Sequence, residues 1–121
     1  MEIDVLKNRL IDLLDEMKAG DVQTFNVADM TTVTDYMIVS SGTSNRHVRS
    51  IASHVLEELR EDGVRPIGSE GEDHGEWVLI DYGDVVLHVL QQQTRDFYQL
   101  EKLWSPDVKE MLRLQREGAS E

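Results

Sequence analysis

Cysteine is absent from all 121 residues, which excludes disulfides, thiol catalysis and cysteine-ligated zinc. No apolar run approaches the roughly 20 residues of a membrane span. The opening MEIDVLKNRL is charged and helical in pattern, unlike a signal or transit peptide. A cytoplasmic protein in a reducing compartment, with no membrane partner, is the expectation. Positive charge is scarce: Lys plus Arg number 12 against 24 Asp plus Glu, a net of −12. Nucleic-acid binders usually carry a basic face that displaces counterions from phosphates. Here only Arg46 to Arg49 is locally basic, which argues against nucleic acid as the primary partner. A basic protein is the natural complement, since opposite potentials speed encounter and fix orientation.

What is present reads as an ordinary globular domain, with 40% hydrophobic and 30% charged residues and an expected radius of roughly 14 Å. Ile3, Leu6, Leu10, Leu13, Leu14 and Met17 recur at three- and four-residue steps. They predict an amphipathic helix, with Gly20 as its left-handed stop. VQTFNVA (22–28) reads as an edge strand, and TDYMIVSS (34–41) as one covered on both faces. From Ser44 the period becomes Val48, Ile51, Ala52, Val55, Leu56 and Leu59, a second helix ending before Gly63. VRPIG (64–68) reads as a strand that completes a parallel crossover unit. SEGEDHGE is a polar loop. EWVLI and VVLHVL flank DYGD, a hairpin signal. Thr94 is placed to cap a helix that turns Phe97, Leu100, Leu103 and Trp104 inward. Pro106 suits the start of a last helix with Val108, Met111 and Leu112 apolar. The order predicts an α/β fold, a mixed β-sheet of about five strands with helices packed on it.

A hairpin turn centred on Tyr82 and Gly83 pairs Ile80 with Val85, Val78 with Leu87 and Trp77 with His88. Period two then sorts the faces. Val78, Ile80, Val85, Leu87 and Val89 form an aliphatic core side. Trp77, Leu79, Asp81, Asp84, Val86 and His88 form a side with polar tips, suited to a partner. Trp77 could equally be a core aromatic.

SSGTSNRHVRSIA (40–52) has the small-residue loop and helix start of many phosphate sites, as in nucleotidyltransferases. Those enzymes also need carboxylates about two residues apart on an adjacent strand, because two Mg²⁺ ions must bridge the transferred phosphate. VRPIG carries no acid, and Asp81 and Asp84 straddle a turn. Ser44 as a plain helix cap explains the loop. His47 and His54 have no neighbouring acid cluster in the sequence and read as surface histidines. Glu70, Glu72, Asp73 and His74 could in principle collect a hard cation, but a solvated loop accounts for them. No nucleophile-elbow spacing supports a triad. No enzyme, cofactor or metal site is expected.

TDYMIVSSGTSNRHVRSIASHV (34–55) and GEWVLIDYGDVVLHVLQQQTRDFYQLEKLW (75–104) closely resemble the ribosomal silencing factor family, also called RsfS or Iojap. TDY, GTSxRHV, DxGDVxxHV and FYQLEKLW occur in order. The resemblance runs over residues 1–105 and leaves 106–121 as a C-terminal helical extension. It implies a nucleotidyltransferase-like fold lacking the catalytic acids. It also implies binding to the large ribosomal subunit through ribosomal protein fourteen, a basic protein at the joining face, which blocks subunit association and represses translation. Carried onto this chain, the contact residues are Trp77, Asp81, His88, Tyr98, Glu101 and Lys102, with Trp77 as the buried anchor. Arg46, His47 and Arg49 form a secondary surface of unassigned role. The alternatives are an assembly factor for the large subunit, a residual nucleotide-binding module, and a homodimer through the Trp77 face.

Overall fold

The computed structural model describes residues 1–104, and the expected helix at 106–121 lies outside them. Leu6, Leu10, Leu13 and Leu14 are buried along α1 (Ile3–Glu16), as their spacing predicts. Its end differs from expectation. The Lys18 N–H reaches the Asp15 carbonyl at 3.0 Å and the Ala19 N–H the Leu14 carbonyl at 3.0 Å, a Schellman closure. The left-handed residue is Lys18, at φ 58°, and Gly20 instead opens the next strand.

That strand, β1 (Gly20–Asn26), precedes β2 (Tyr36–Gly42), α2 (Asn45–Glu61), β3 (Gly68–Glu70), β4 (Trp77–Asp81), β5 (Val85–Gln91), α3 (Gln92–Tyr98) and a 3₁₀ turn (Leu100–Trp104). The five strands form one sheet in the order β1-β2-β5-β4-β3. β2 and β5 pair in parallel at its centre and the other pairs are antiparallel. The two central strands are the ones with continuous apolar runs, because a central strand is covered from both faces. β1 is an edge, as expected.

Three expectations need correction. VRPIG is not the strand; β3 begins at Gly68. Pro66 has no N–H to give a ladder, and the first bond to β4 is from the Ile67 N–H to the Asp81 carbonyl, at 2.7 Å. β2, α2 and β3 do cross over to a strand running the same way, but β5 and β4 lie between β2 and β3. The hairpin register is displaced by two: Ile80 pairs with Leu87, Val78 with Val89, Leu79 with His88 and Trp77 with Leu90. Gly83 (φ 89°) takes the first central position of the turn, where glycine relieves the steric cost of positive φ. This moves the turn centre onto Gly83 and Asp84.

A slip of two leaves every side chain on its expected face. Val78, Ile80, Val85, Leu87 and Val89 join the leucines of α1 and the apolar stripe of α2 in the main core. On the opposite face Val27, Met37, Val39, Leu90 and Leu100 form a smaller cluster, with Phe25 and Trp77 packed against it.

Candidate partner-binding face

β4 and β5 present Trp77 and His88 on the smaller-cluster side of the sheet. They are diagonal neighbours rather than opposite ones, because Trp77 faces Leu90. Diagonal side chains still fall within reach of an aromatic ring. The indole Nε1–H donates to His88 Nδ1 at 2.9 Å. Trp77 also lies against Tyr98, with ring centroids 5.3 Å apart, and Tyr98 meets Phe97 edge-on at 5.0 Å. The start of β4 is fixed by a close approach: a Cβ on Gly71 (φ 92°) would sit 2.0 Å from the Trp77 carbonyl.

His88 is 5% exposed, and burial pulls its imidazole down to about 4. Accepting at Nδ1 makes the neutral ring the Nε2–H tautomer. That Nε2 is buried and has no hydrogen-bond partner among the described residues.

Residues 92–104 are held over this face by a cation. Arg95, only 3% exposed, donates to Ser41 Oγ at 2.8 Å and to a carboxylate oxygen of Glu101. Its Nη2 lies 3.4 Å from an Asp21 carboxylate oxygen, close enough for an ion contact without hydrogen-bond alignment. One guanidinium thereby ties α3 to β1, to β2 and to the 3₁₀ turn. This reverses the expected phase of α3. Gln91, not Thr94, stands at its N-cap. The helix ends at left-handed Gln99 (φ 49°), and Leu100 alone of its expected inward residues is buried among those described. Phe97 is 80%, Tyr98 59% and Leu103 56% exposed.

The structure therefore brings Trp77, His88 and Tyr98 into one contiguous patch and adds Phe97. Glu101 is engaged by Arg95, and Lys102 is exposed beside it. Asp81 lies at the far end of β4, where its carboxylate accepts the Gly83 N–H at 2.8 Å. Arg95 and Phe97 escaped the sequence reading. The signal for Arg95 was Ser40 and Ser41 at the end of an otherwise apolar buried strand, since buried hydroxyls call for a donor.

Arg46, His47 and Arg49 lie elsewhere, on the helix that covers the opposite face. His47 is built into the chain: its Nδ1 accepts the Thr43 N–H at 2.9 Å and its Nε2 donates to the Met17 carbonyl at 2.8 Å. Ser44 caps α2 by accepting the His47 N–H at 3.1 Å. Two N–H groups that an anion would use in a phosphate cradle are therefore already bonded internally. His54 pairs with Glu16 at 2.8 Å. Among the described residues no group of three His, Asp or Glu could hold a metal ion.

Tyr82 is 9% exposed, its hydroxyl has no partner among the described residues, and burial pushes it up to about 12. Tyr82→Phe removes a desolvated hydroxyl. It is expected to leave stability unchanged or raise it by about 1 kcal/mol in urea unfolding. A loss of that size would reveal a hydrogen bond to water there.

A family model described as "Ribosomal silencing factor during starvation" matches residues 2–121. A protein named ribosomal silencing factor RsfS from Chromobacterium violaceum is 42% identical over 104 residues, covering 86% of this chain and 85% of that one. The same-named protein of Haemophilus influenzae is 36% identical over 96 residues, 79% of this chain and 94% of that one. A mouse protein named mitochondrial assembly of ribosomal large subunit protein 1 is 32% identical over 99 residues, 79% of this chain and 43% of its own length. A crystal structure of a Chromobacterium violaceum protein superposes with a TM-score of 0.84 at 42% identity, covering 86% of this chain and 87% of that one. One from Bacillus halodurans superposes at 0.77 and 34% identity, covering 84% and 94%.

Proposed function

Because this chain belongs to the ribosomal silencing factor family, we propose that it binds the large ribosomal subunit through ribosomal protein fourteen. By occupying the joining face it excludes the small subunit and represses translation. It acts by position rather than by catalysis, in the cytoplasm.

The observation that carries this reading is the patch of Trp77, His88 and Tyr98 with exposed Phe97 beside it. Exposed aromatics on α3, backed by half-buried Trp77 on the sheet, are what an interface centre uses, because large aromatic anchors dominate binding energy. The chain's net charge of −12 supplies long-range attraction to a basic partner. An interface of about 800 Å² per partner fits one face of a body this size, and the remaining bulk stands where the small subunit must dock. Asp81 and Lys102 are assigned to its rim. Glu101 contributes by holding Arg95, and His88 by fixing the Trp77 ring.

Co-sedimentation with purified large subunits, followed by a subunit-joining assay, tests the proposal. Tyr98→Ala and Trp77→Ala are each expected to weaken binding by about 2 kcal/mol, roughly 30-fold, and to restore joining. Tyr98 is more than half exposed, so its variant separates lost contact from lost fold. Wild-type protein that leaves joining intact at saturation would refute silencing. The mouse relative's name favours one second reading, a role in assembling the large subunit, for which the same face would serve.

A further inference from the structure

Among the described residues, two sets of basic side chains stand apart. Arg9 and Arg95 are each held by two carboxylates, and Lys7 pairs with Asp4. Arg46, Arg49, Arg60 and Arg65 are all exposed, and none forms an ion pair among the described residues. Among the described residues Arg49 donates only to the Asp73 backbone carbonyl, at 3.2 Å. In a chain with 24 acids, residues 36–56 contain no Asp or Glu.

Arg46, Arg49 and Arg60 follow a three- to four-residue beat that keeps them on the outer face of α2, and Arg65 follows just beyond its end. Arg46 and Arg49 line one groove with Ser50 and Ser53, and Arg60 and Arg65 line a second. Glu57, which borders both, is the only carboxylate in either lining. From Arg46 to Arg60 the helix rises about 21 Å, long enough to follow several successive phosphates of one strand.

We propose that this outer face of α2 is a second docking surface, taking the phosphodiester backbone of RNA through Arg46, Arg49, Arg60 and Arg65. Guanidinium forks and serine hydroxyls are the donors that phosphates receive. A protein partner would instead call for a large aromatic or aliphatic anchor, and the two grooves offer only half-buried Met17, Leu56 and Pro66 among the described residues. α2 covers the sheet face opposite the Trp77 patch, so the two surfaces are independent. The choice of RNA rests on the ribosomal setting proposed above. On that setting, the chain grips a protein with one face and ribosomal RNA with the other.

The test uses the full chain and a short labelled RNA duplex, free of ribosomal protein, followed by fluorescence anisotropy across a salt series. Wild-type protein is expected to bind at low salt in the roughly micromolar to hundred-micromolar range of non-specific contacts. The slope of log affinity against log salt should lie near −3 to −4, about −0.9 per phosphate contact. Arg46→Gln, Arg60→Gln and Arg65→Gln combined, which break no internal bond, should weaken binding at least tenfold and flatten the slope toward −1. Trp77→Ala should bind this RNA as the wild type does. Wild-type protein that binds this RNA but not large subunits would sink the proposed function and spare this inference. The inference is overturned by no wild-type binding at low salt, by a triple variant that binds normally, or by a polyglutamate peptide that displaces the RNA at lower concentration than unlabelled RNA does.

Discussion

Arg95→Ala is expected to lower the free energy of unfolding by about 3–5 kcal/mol, the range for removing one member of a buried ion pair. The guanidinium is only 3% exposed, so its favourable term comes from Glu101, Asp21 and Ser41 rather than from water. Removing it leaves the Glu101 carboxylate without its cation and the Ser41 hydroxyl without its donor. Urea unfolding of the single and paired variants measures this. Arg95→Ala with Glu101→Ala should lose less than the sum of the two, because the second change removes the stranded charge. Strict additivity would mean that the contact contributes nothing specific. Tyr98 hangs on the segment that Arg95 anchors, so Arg95→Ala should also cost affinity for large subunits, whereas Tyr82→Phe should not.

The second large effect is an acid instability centred on His88. Burial holds its imidazole near 4 in the folded chain, against an ordinary value near 6.5 when unfolded. Above pH 6.5 both states are neutral and the site contributes no pH dependence. As pH falls from 6.5 toward 4 the unfolded chain takes up a proton that the folded chain refuses. Stability is lost over that window by roughly 3 kcal/mol, and the loss levels off below it. His88→Gln keeps an acceptor for the Trp77 indole and removes the titration. Urea unfolding at pH 7 and near pH 4 should therefore show a much steeper fall for the wild type than for the variant. Equal slopes would show that the imidazole is hydrated in solution. Carboxylate titrations are common to both proteins and cancel in the difference.

The element order and the two faces of the hairpin were legible because period two and period 3.6 report which side of an element is dry. Faces survived a wrong register, since a two-residue slip returns each side chain to its own side. The register itself was misread because DYGD offers two turn centres, and only the demand for positive φ at Gly83 selects one. The strand at VRPIG failed on a single missing N–H, at Pro66. Phe97 was placed inward because a helical period was extended through Gln99, where the chain turns left-handed. In a seven-residue helix one buried cation outweighs an apolar stripe, and no periodicity reports ion pairs formed between distant segments. Trp77 and His88 were legible from the alternation of the hairpin as a polar-tipped side suited to a partner, whereas Tyr98 as a contact came only through the family resemblance. Their meeting depends on a diagonal pairing that the residues alone did not disclose.

The parallel ladder at the middle of the sheet joins Tyr36 to Val85 and Gly42 to Gln91. Each contact spans about two-fifths of the chain, a separation that slows folding because the intervening loop must close before any bond forms. During synthesis β2 and α2 emerge well before β5 and wait for it with the core around Ile38, Val48 and Ile51 incomplete. Closure comes only when the stretch bearing His88 and Leu90 leaves the exit tunnel, shortly before the Trp77 face is itself complete. A nascent chain halted before residue 85 should therefore be a chaperone client, and the binding surface should appear in the same late step that seals the core.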